Sequence, residues 1–156
     1  MTPAVDMAKR AKIAFTLHDY DHDPGSSAYG LEAVEKLGLN PDEVFKTLVA
    51  ELQGGELAVA VVPVSSMLNL KALAKAAGAK KAAMADASAV SRSSGYVLGG
   101  VSPLGQKRAL RTFIDSSAER LSVMYVSAGR RGLEIALSPR DLQGLTRAGF
   151  APLAQE

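Results

Sequence analysis

Two strand-like runs meet at Gly54-Gly55, and this junction constrains the fold more than any other stretch. A Gly-Gly pair between strand-forming segments signals a hairpin, because glycine tolerates the positive φ of tight reversing turns. The first arm, DEVFKTLVAEL, runs from Asp42 to Leu52; the returning arm is ELAVAVVPV. The returning arm is almost wholly apolar, so both of its faces need cover. The hairpin therefore belongs inside a layered α/β domain.

Alternate residues of a strand face the same way. In the first arm Val44, Lys46, Leu48 and Ala50 share one face, and Phe45, Thr47, Val49 and Glu51 share the other. Lys46 thus places an ammonium group among aliphatic neighbours. Two readings fit. Its stem lies on apolar surface with the head in water, as on many strand edges. Alternatively it stands at the rim of a pocket and grips an anion such as phosphate, a task suited to a compact charge with three donors. Proton transfer by Lys46 would require strong desolvation, which nothing in the sequence shows.

The rest of the chain interleaves helices and strands around this hairpin. Thr2-Pro3 starts a helix, with Thr as cap and Pro in the first turn. AFTLHDY has strand composition, HDPGSSAYG is a loop, and LEAVEKLG is a helix stopped by Gly38. NPDE is a turn that feeds the Lys46 strand. NLKALAKAAG reads as a helix ended by Gly78, KKAAMAD as a short strand, and DASAVSRSSG as a short helix closing near Gly95. YVLGGVSPLGQK reads as a strand running into a Gly/Pro loop. RLSVMYVSAG and GLEIALS are strands joined across Arg130-Arg131, and SPRDLQGLTRAG is a helix from Ser138 to a stop at Gly149. No repeat or linker interrupts this order, so residues 1–156 form one mixed α/β domain.

Composition removes several chemistries. With 0 cysteines there is no disulfide, thiolate nucleophile or cysteine zinc site. The 2 histidines fall in HDYDHD, which reads as a solvated acidic loop rather than a metal cage. A net charge of +2 permits contact with nucleic acid without arguing for it. Aromatic residues are 5 %, too few for a broad base-stacking platform. No apolar run approaches membrane-spanning length, and the N-terminus lacks the pattern of a signal peptide, so a cytoplasmic protein is expected.

One loop has the composition of a ligand site. Gly99, Gly100 and Gly105 with Pro103 let backbone approach a ligand closely and leave N–H groups free for an oxyanion or phosphate. The alternative is a tight turn without a ligand. The pattern is neither a dinucleotide fingerprint nor a P-loop, and GVSPLG misses the nucleophile elbow by one residue, so Ser102 is not proposed as a nucleophile. Lys107, Arg108, Arg111, Lys80-Lys81 and Arg130-Arg131 are either phosphate contacts or solvated surface charges.

Five stretches taken together resemble the YbaK/EbsC family of aminoacyl-tRNA deacylases: MTPAV, GLNPDEVFKTL, KALAKAAGAKKAAMAD, RSSGYVLGGVSPLGQK and VSAGRRGLEI. The resemblance covers nearly the whole chain and is greatest to the branch acting on Cys-tRNA(Pro) and Cys-tRNA(Cys). It implies a compact α/β domain with a highly curved, barrel-like mixed sheet surrounded by helices. It implies hydrolysis, in trans, of the ester joining cysteine to tRNA(Pro). Mischarged tRNA would be the partner, with prolyl-tRNA synthetase a candidate second one, and neither DNA nor a membrane is implied. No metal or other cofactor is implied, because the thiol of the bound cysteine is thought to attack its own ester carbonyl, a lyase-like step.

By the same resemblance Lys46 positions the terminal adenosine or its phosphate, and Gly99, helped by Gly100, lines the reaction centre. Tyr20, Tyr29, Thr47, Ser127 and Glu134 match substrate-binding positions. Thr47 fits less simply, because a regular strand points it away from Lys46. Two departures stand out: Glu134 replaces the Asp of close relatives, and Ala128 sits where Ser-Gly-Gly is more usual. Two rival readings remain: a deacylase for another small residue such as Ala-tRNA(Pro), and a module that binds tRNA or nucleotide without catalysis.

Overall fold

A computed structural model describes residues Met1–Gln155. In chain order the elements are α1 (Pro3–Ala11), β1 (Phe15–Asp19), α2 (Tyr29–Leu37), β2 (Phe45–Leu52), β3 (Leu57–Pro63), α3 (Leu70–Ala77), β4 (Ala82–Met84) and α4 (Ala87–Ser94). They continue with β5 (Arg111–Asp115), a 3-10 turn (Ser116–Arg120), β6 (Met124–Arg130), β7 (Leu133–Leu137), α5 (Pro139–Thr146) and β8 (Gly149–Ala151). No helix among the described residues is long and apolar enough to cross a membrane.

Local chemistry sets most helix ends. The Thr2 hydroxyl accepts from the Val5 N–H at 3.2 Å, and Asn69, Asp86 and Ser138 cap α3, α4 and α5 in the same way. Only α2 starts without a side-chain cap, at Ala28. Gly38, Gly78 and Gly95 close α2, α3 and α4 in the left-handed conformation. The expected stop of α5 at Gly149 is corrected: Arg147 takes the left-handed position at φ 55°, and Gly149 opens β8.

The strands form two sheets. One has the order β1-β7-β6, all antiparallel; the other is mixed, with the order β4-β2-β3-β5-β8. In the second, β2 pairs antiparallel with β3 and β4, whereas β3–β5 and β5–β8 are parallel. β3 lies at the centre with Ala58 to Val62 fully buried, which explains its unbroken apolar sequence. A single parallel bridge, Val44 to Tyr125, joins the sheets. The mixed α/β domain is as expected, but the sheet does not close into a barrel. Closure would require continuous pairing between β2 and β6, and pairing stops at this bridge.

Two further expectations change. The run Tyr96–Leu98 is not a strand. Tyr96 is buried and donates its hydroxyl proton to the Leu104 carbonyl at 2.7 Å, while Val97 and Leu98 are exposed. β5 and β8 were not anticipated, because their partners are distant in sequence and both are short.

The main core packs one face of the three-stranded sheet, through Val126, Ile135 and Leu137, against α1 and the Phe45 and Val49 face of β2. A smaller cluster lies on the opposite face of β2 and β3, where Ala50, Ala60 and Val62 meet Leu73 of α3.

Candidate active site

A cavity of about 430 Å³ opens where β2 and β6 part. The sequence puts Lys46 and Thr47 on opposite faces of β2, yet both line it, as does Leu48. Three consecutive residues can share a cavity only if the cavity wraps round the edge of the strand. The hydrogen bonds show that this edge is open. Val64 donates to the Val44 carbonyl at 2.8 Å, so Val44, Lys46, Leu48 and Ala50 direct their backbone groups to β3. The odd-numbered residues direct theirs outward. There Tyr125 donates to Glu43 at 2.9 Å and Ala85 donates to Val49 at 3.0 Å, and β4 takes up pairing only from Ala50. Between these contacts the N–H and C=O of Thr47 have no ladder partner and open towards the cavity. The hydroxyl of Thr47 is buried without a hydrogen-bond partner.

The opposite wall comes from the three-stranded sheet. Register pairs His18 with Glu134 and Glu134 with Ser127, so these three side chains share a face. Tyr20, two residues past His18, extends that face. It donates its backbone N–H to the Gly132 carbonyl at 2.9 Å. Tyr20, Glu134 and Ser127 all line the cavity. The sheet's other face is core, so alternation turns its polar face towards the ligand space.

The mouth is built from three segments that hold one another. The Tyr29 ring, at the start of α2, lies against Gly99: a Cβ there would come within 2.6 Å of the ring, and φ is +84°. Gly99 is therefore glycine for two independent reasons. The Arg131 guanidinium sits 5.0 Å from the centre of the Tyr29 ring and donates to the Leu98 carbonyl at 2.8 Å. The loop before α2 is pinned from below. Glu32 accepts from the Asp23 N–H at 2.8 Å and pairs with His22 at 2.6 Å. Those contacts, the Asp23 amide first, hold the Glu32 carboxyl down at about 2. The acidic loop read from HDYDHD is thus tethered through His22.

Gly100 departs from its expected role. It is buried against the backbone of Arg130, is absent from the cavity wall, and donates its N–H to the Val97 carbonyl at 2.9 Å. It shapes the turn that presents Gly99 and has no free donor for an oxyanion. The other expected residues come together: Tyr20, Tyr29, Lys46, Thr47, Gly99, Ser127 and Glu134 all face one cavity. Ala128 is fully buried in the core, and its carbonyl accepts from the Thr2 hydroxyl. Of the basic candidates, Arg111 is engaged by Glu56 at 2.9 Å and lies away from the cavity.

The rim carries no signal in the sequence. Leu31, Met84 and Leu98 line the cavity and yet are about half exposed. Large exposed apolar side chains around a concave site are a recognition signal, but they become visible only once the fold brings three elements together.

The electrostatics are uneven. Burial lowers the pKa of Lys46 and raises that of Glu134 to about 8. Tyr20 is pushed up to about 12, first by burial and then by the charges of Glu134 and Glu32. The first turn of α2 also faces the cavity, and its unpaired N–H groups add partial positive charge near Lys46. No histidine lines the described walls, so no serine there has an imidazole beside it. Such a site is equipped to hold and orient a polar ligand carrying an anion.

A family model described as aminoacyl-tRNA editing domain matches residues 24–145, a span that contains Lys46, Gly99 and Glu134. The chain belongs to that family. This editing domain is 35 % identical over 156 residues to EbsC of Enterococcus faecalis, provisionally named a Cys-tRNA(Pro)/Cys-tRNA(Cys) deacylase. That alignment covers 97 % of this chain and 92 % of EbsC. It is 26 % identical to YwhH of Bacillus subtilis, an uncharacterized protein, over 86 % of this chain and 87 % of that one. Its fold matches a crystal structure described as a provisional trans-editing enzyme for prolyl-tRNA synthetase. That match has a TM-score of 0.82 at 20 % identity, and covers 100 % of this chain and 99 % of the other.

Proposed function

We propose that this editing domain is an aminoacyl-tRNA deacylase that removes cysteine mischarged onto tRNA(Pro). The observation that carries the reading is a cavity walled by Lys46 and Gly99 in which no described serine or threonine hydroxyl is hydrogen-bonded to a base. Lys46 binds the phosphate of the 3′-terminal nucleotide. The backbone of Gly99, fixed by the Tyr29 ring, faces the ester carbonyl. The cysteine sulfur attacks that carbonyl, the bond to the ribose oxygen breaks, the thiol proton ends on the released hydroxyl, and water then opens the four-membered cyclic thioester to cysteine. A nucleophile within the same small molecule has a very high effective concentration, so the protein supplies orientation rather than a reactive group. The reading is supported by the likeness to EbsC, and the proposed reaction would belong in the cytoplasm, where charged tRNA is used. Prolyl-tRNA synthetase is the partner that would deliver the substrate.

The test is release of labelled cysteine and labelled alanine from the same tRNA(Pro). Cysteine should be released much faster, and Lys46→Ala should raise KM by about ten- to a hundredfold, the range for losing a charged hydrogen bond. Equal release of both amino acids would reject attack by the substrate's thiol and leave a water-dependent deacylase. No release above background would reduce the protein to a binding module.

A further inference from the structure

The cavity contains one carboxyl and one ammonium group among its described lining residues, Glu134 and Lys46. Neither belongs to any ion pair among those residues. Burial alone shifts each of them, so no counter-charge offsets it at either site. Glu134 is only 7 % exposed and makes no hydrogen bond within the protein, and its carboxyl oxygens keep contact with the ligand space. A largely buried ionisable group that borders a cavity and has no partner within the protein is a candidate for pairing with a ligand.

An unpaired carboxyl and an unpaired ammonium in one cavity fit a ligand that carries both signs. An amino acid esterified to a terminal nucleotide does so, with phosphate at one end and an α-ammonium at the other. We propose that Glu134 is the subsite for the substrate's α-ammonium group, set apart from the phosphate subsite at Lys46. The inference rests on the aminoacyl-tRNA reading above.

The subsite couples binding to a proton. In the empty cavity burial keeps the carboxyl protonated at neutral pH, since its pKa is raised to about 8. An arriving ammonium brings three donors and a full positive charge, which favour the carboxylate. The O–H bond of Glu134 then breaks, its proton passes to bulk water, and the carboxylate accepts N–H bonds from the ammonium. Register places His18 from β1 and Ser127 from β6 beside Glu134, Tyr20 from β1 feels its charge, and Lys46 from β2 lines the same cavity. Tyr20, at about 12, keeps its own proton throughout. An acylated amine, as in peptidyl-tRNA, carries no charge to offer. The same subsite therefore separates a single aminoacyl group from a growing chain.

The test uses two probes: 3′-cysteinylamido-3′-deoxyadenosine 5′-phosphate, whose amide resists cleavage, and its N-acetyl derivative. Binding is measured by calorimetry in two buffers of different ionisation heat, near pH 6.5, where an α-amino group of pKa about 7.7 is mostly charged. The wild type should prefer the free amine by about tenfold or more and release close to one proton on binding it. Glu134→Gln should bind both probes alike, release no proton and keep the N-acetyl affinity, while Glu134→Asp should restore part of the preference. Equal binding by the wild type, or an intact preference in Glu134→Gln, would overturn the proposal. Turnover of Cys-tRNA(Pro) is read separately. Turnover without amine preference rejects the subsite alone, preference without turnover rejects the deacylase reading alone, and failure of the wild type to bind either probe rejects both.

Discussion

Asp115 and Glu134 are both acidic and nearly equally buried, 5 % and 7 % exposed, yet their surroundings are opposite. Asp115 accepts from the amides of Leu153 at 2.8 Å, Ala154 at 3.0 Å and Ser117 at 3.2 Å. Burial works against its charge, but hydrogen bonds outweigh burial and its pKa is lowered. Glu134 has no such donors, and burial alone raises it to about 8. The first carboxylate ties the C-terminal segment to the end of β5. The second waits at a cavity wall. The difference separates a group kept for folding from one kept for a ligand, and burial by itself does not tell them apart.

The largest effect should come from Asp115→Ala. Three amides would lose a charged acceptor, costing about 3 kcal/mol or more in urea unfolding. The Leu153 and Ala154 amides should exchange faster with solvent. Normal stability in this variant would break the comparison on its structural side. The native Asp115 contribution is present above the unfolded carboxylate pKa and is lost as pH falls through the lowered folded value.

Glu134→Gln should move stability the other way. Its pKa rises from 4.5 to about 8 on folding, so between those values the folded state binds more protons than the unfolded one. Native stability therefore falls as pH rises across that window. Removing the group should raise the melting temperature by roughly 5 °C at pH 8.5, with the gain shrinking towards pH 4.5. A gain independent of pH would mean that titration is not its source.

Thr47→Val should have the smallest effect. The hydroxyl is buried without a partner, and a methyl group of similar shape removes it at little packing cost. A change between zero and about 1 kcal/mol in the stabilising direction is expected from urea titration. A clear loss of stability would show that this hydroxyl has a structural partner and belongs with Asp115.

Much of this organisation was legible in the chain itself. Thr2 and Ser138 announce helix starts because capping is local chemistry. Gly54-Gly55 announces the hairpin for the same reason. The strand β5 was not legible, because its parallel partners β3 and β8 lie far away in sequence and a short RTFID run carries no local turn signal. Tyr96–Leu98 misled in the opposite direction: its apolar residues belong partly to the core and partly to the cavity mouth. At the site, alternation correctly set Lys46 apart from its aliphatic neighbours. It could not show that pairing on one edge of β2 lapses around Thr47, nor that the Gly100 amide is already bonded. The isolation of Glu134 is likewise a statement about what is not nearby, and only the fold can make it.

Lys46 stands two residues beyond Val44, and Ser127 two beyond Tyr125, so both walls diverge from the one bridge that joins the sheets. That bridge acts as the pivot of a calliper whose arms end in an ammonium and a hydroxyl. The separation of those arms is thus set by packing at a junction outside the cavity wall. Changes in bulk at the buried Val44 would alter the width of the cavity while leaving every lining residue in place.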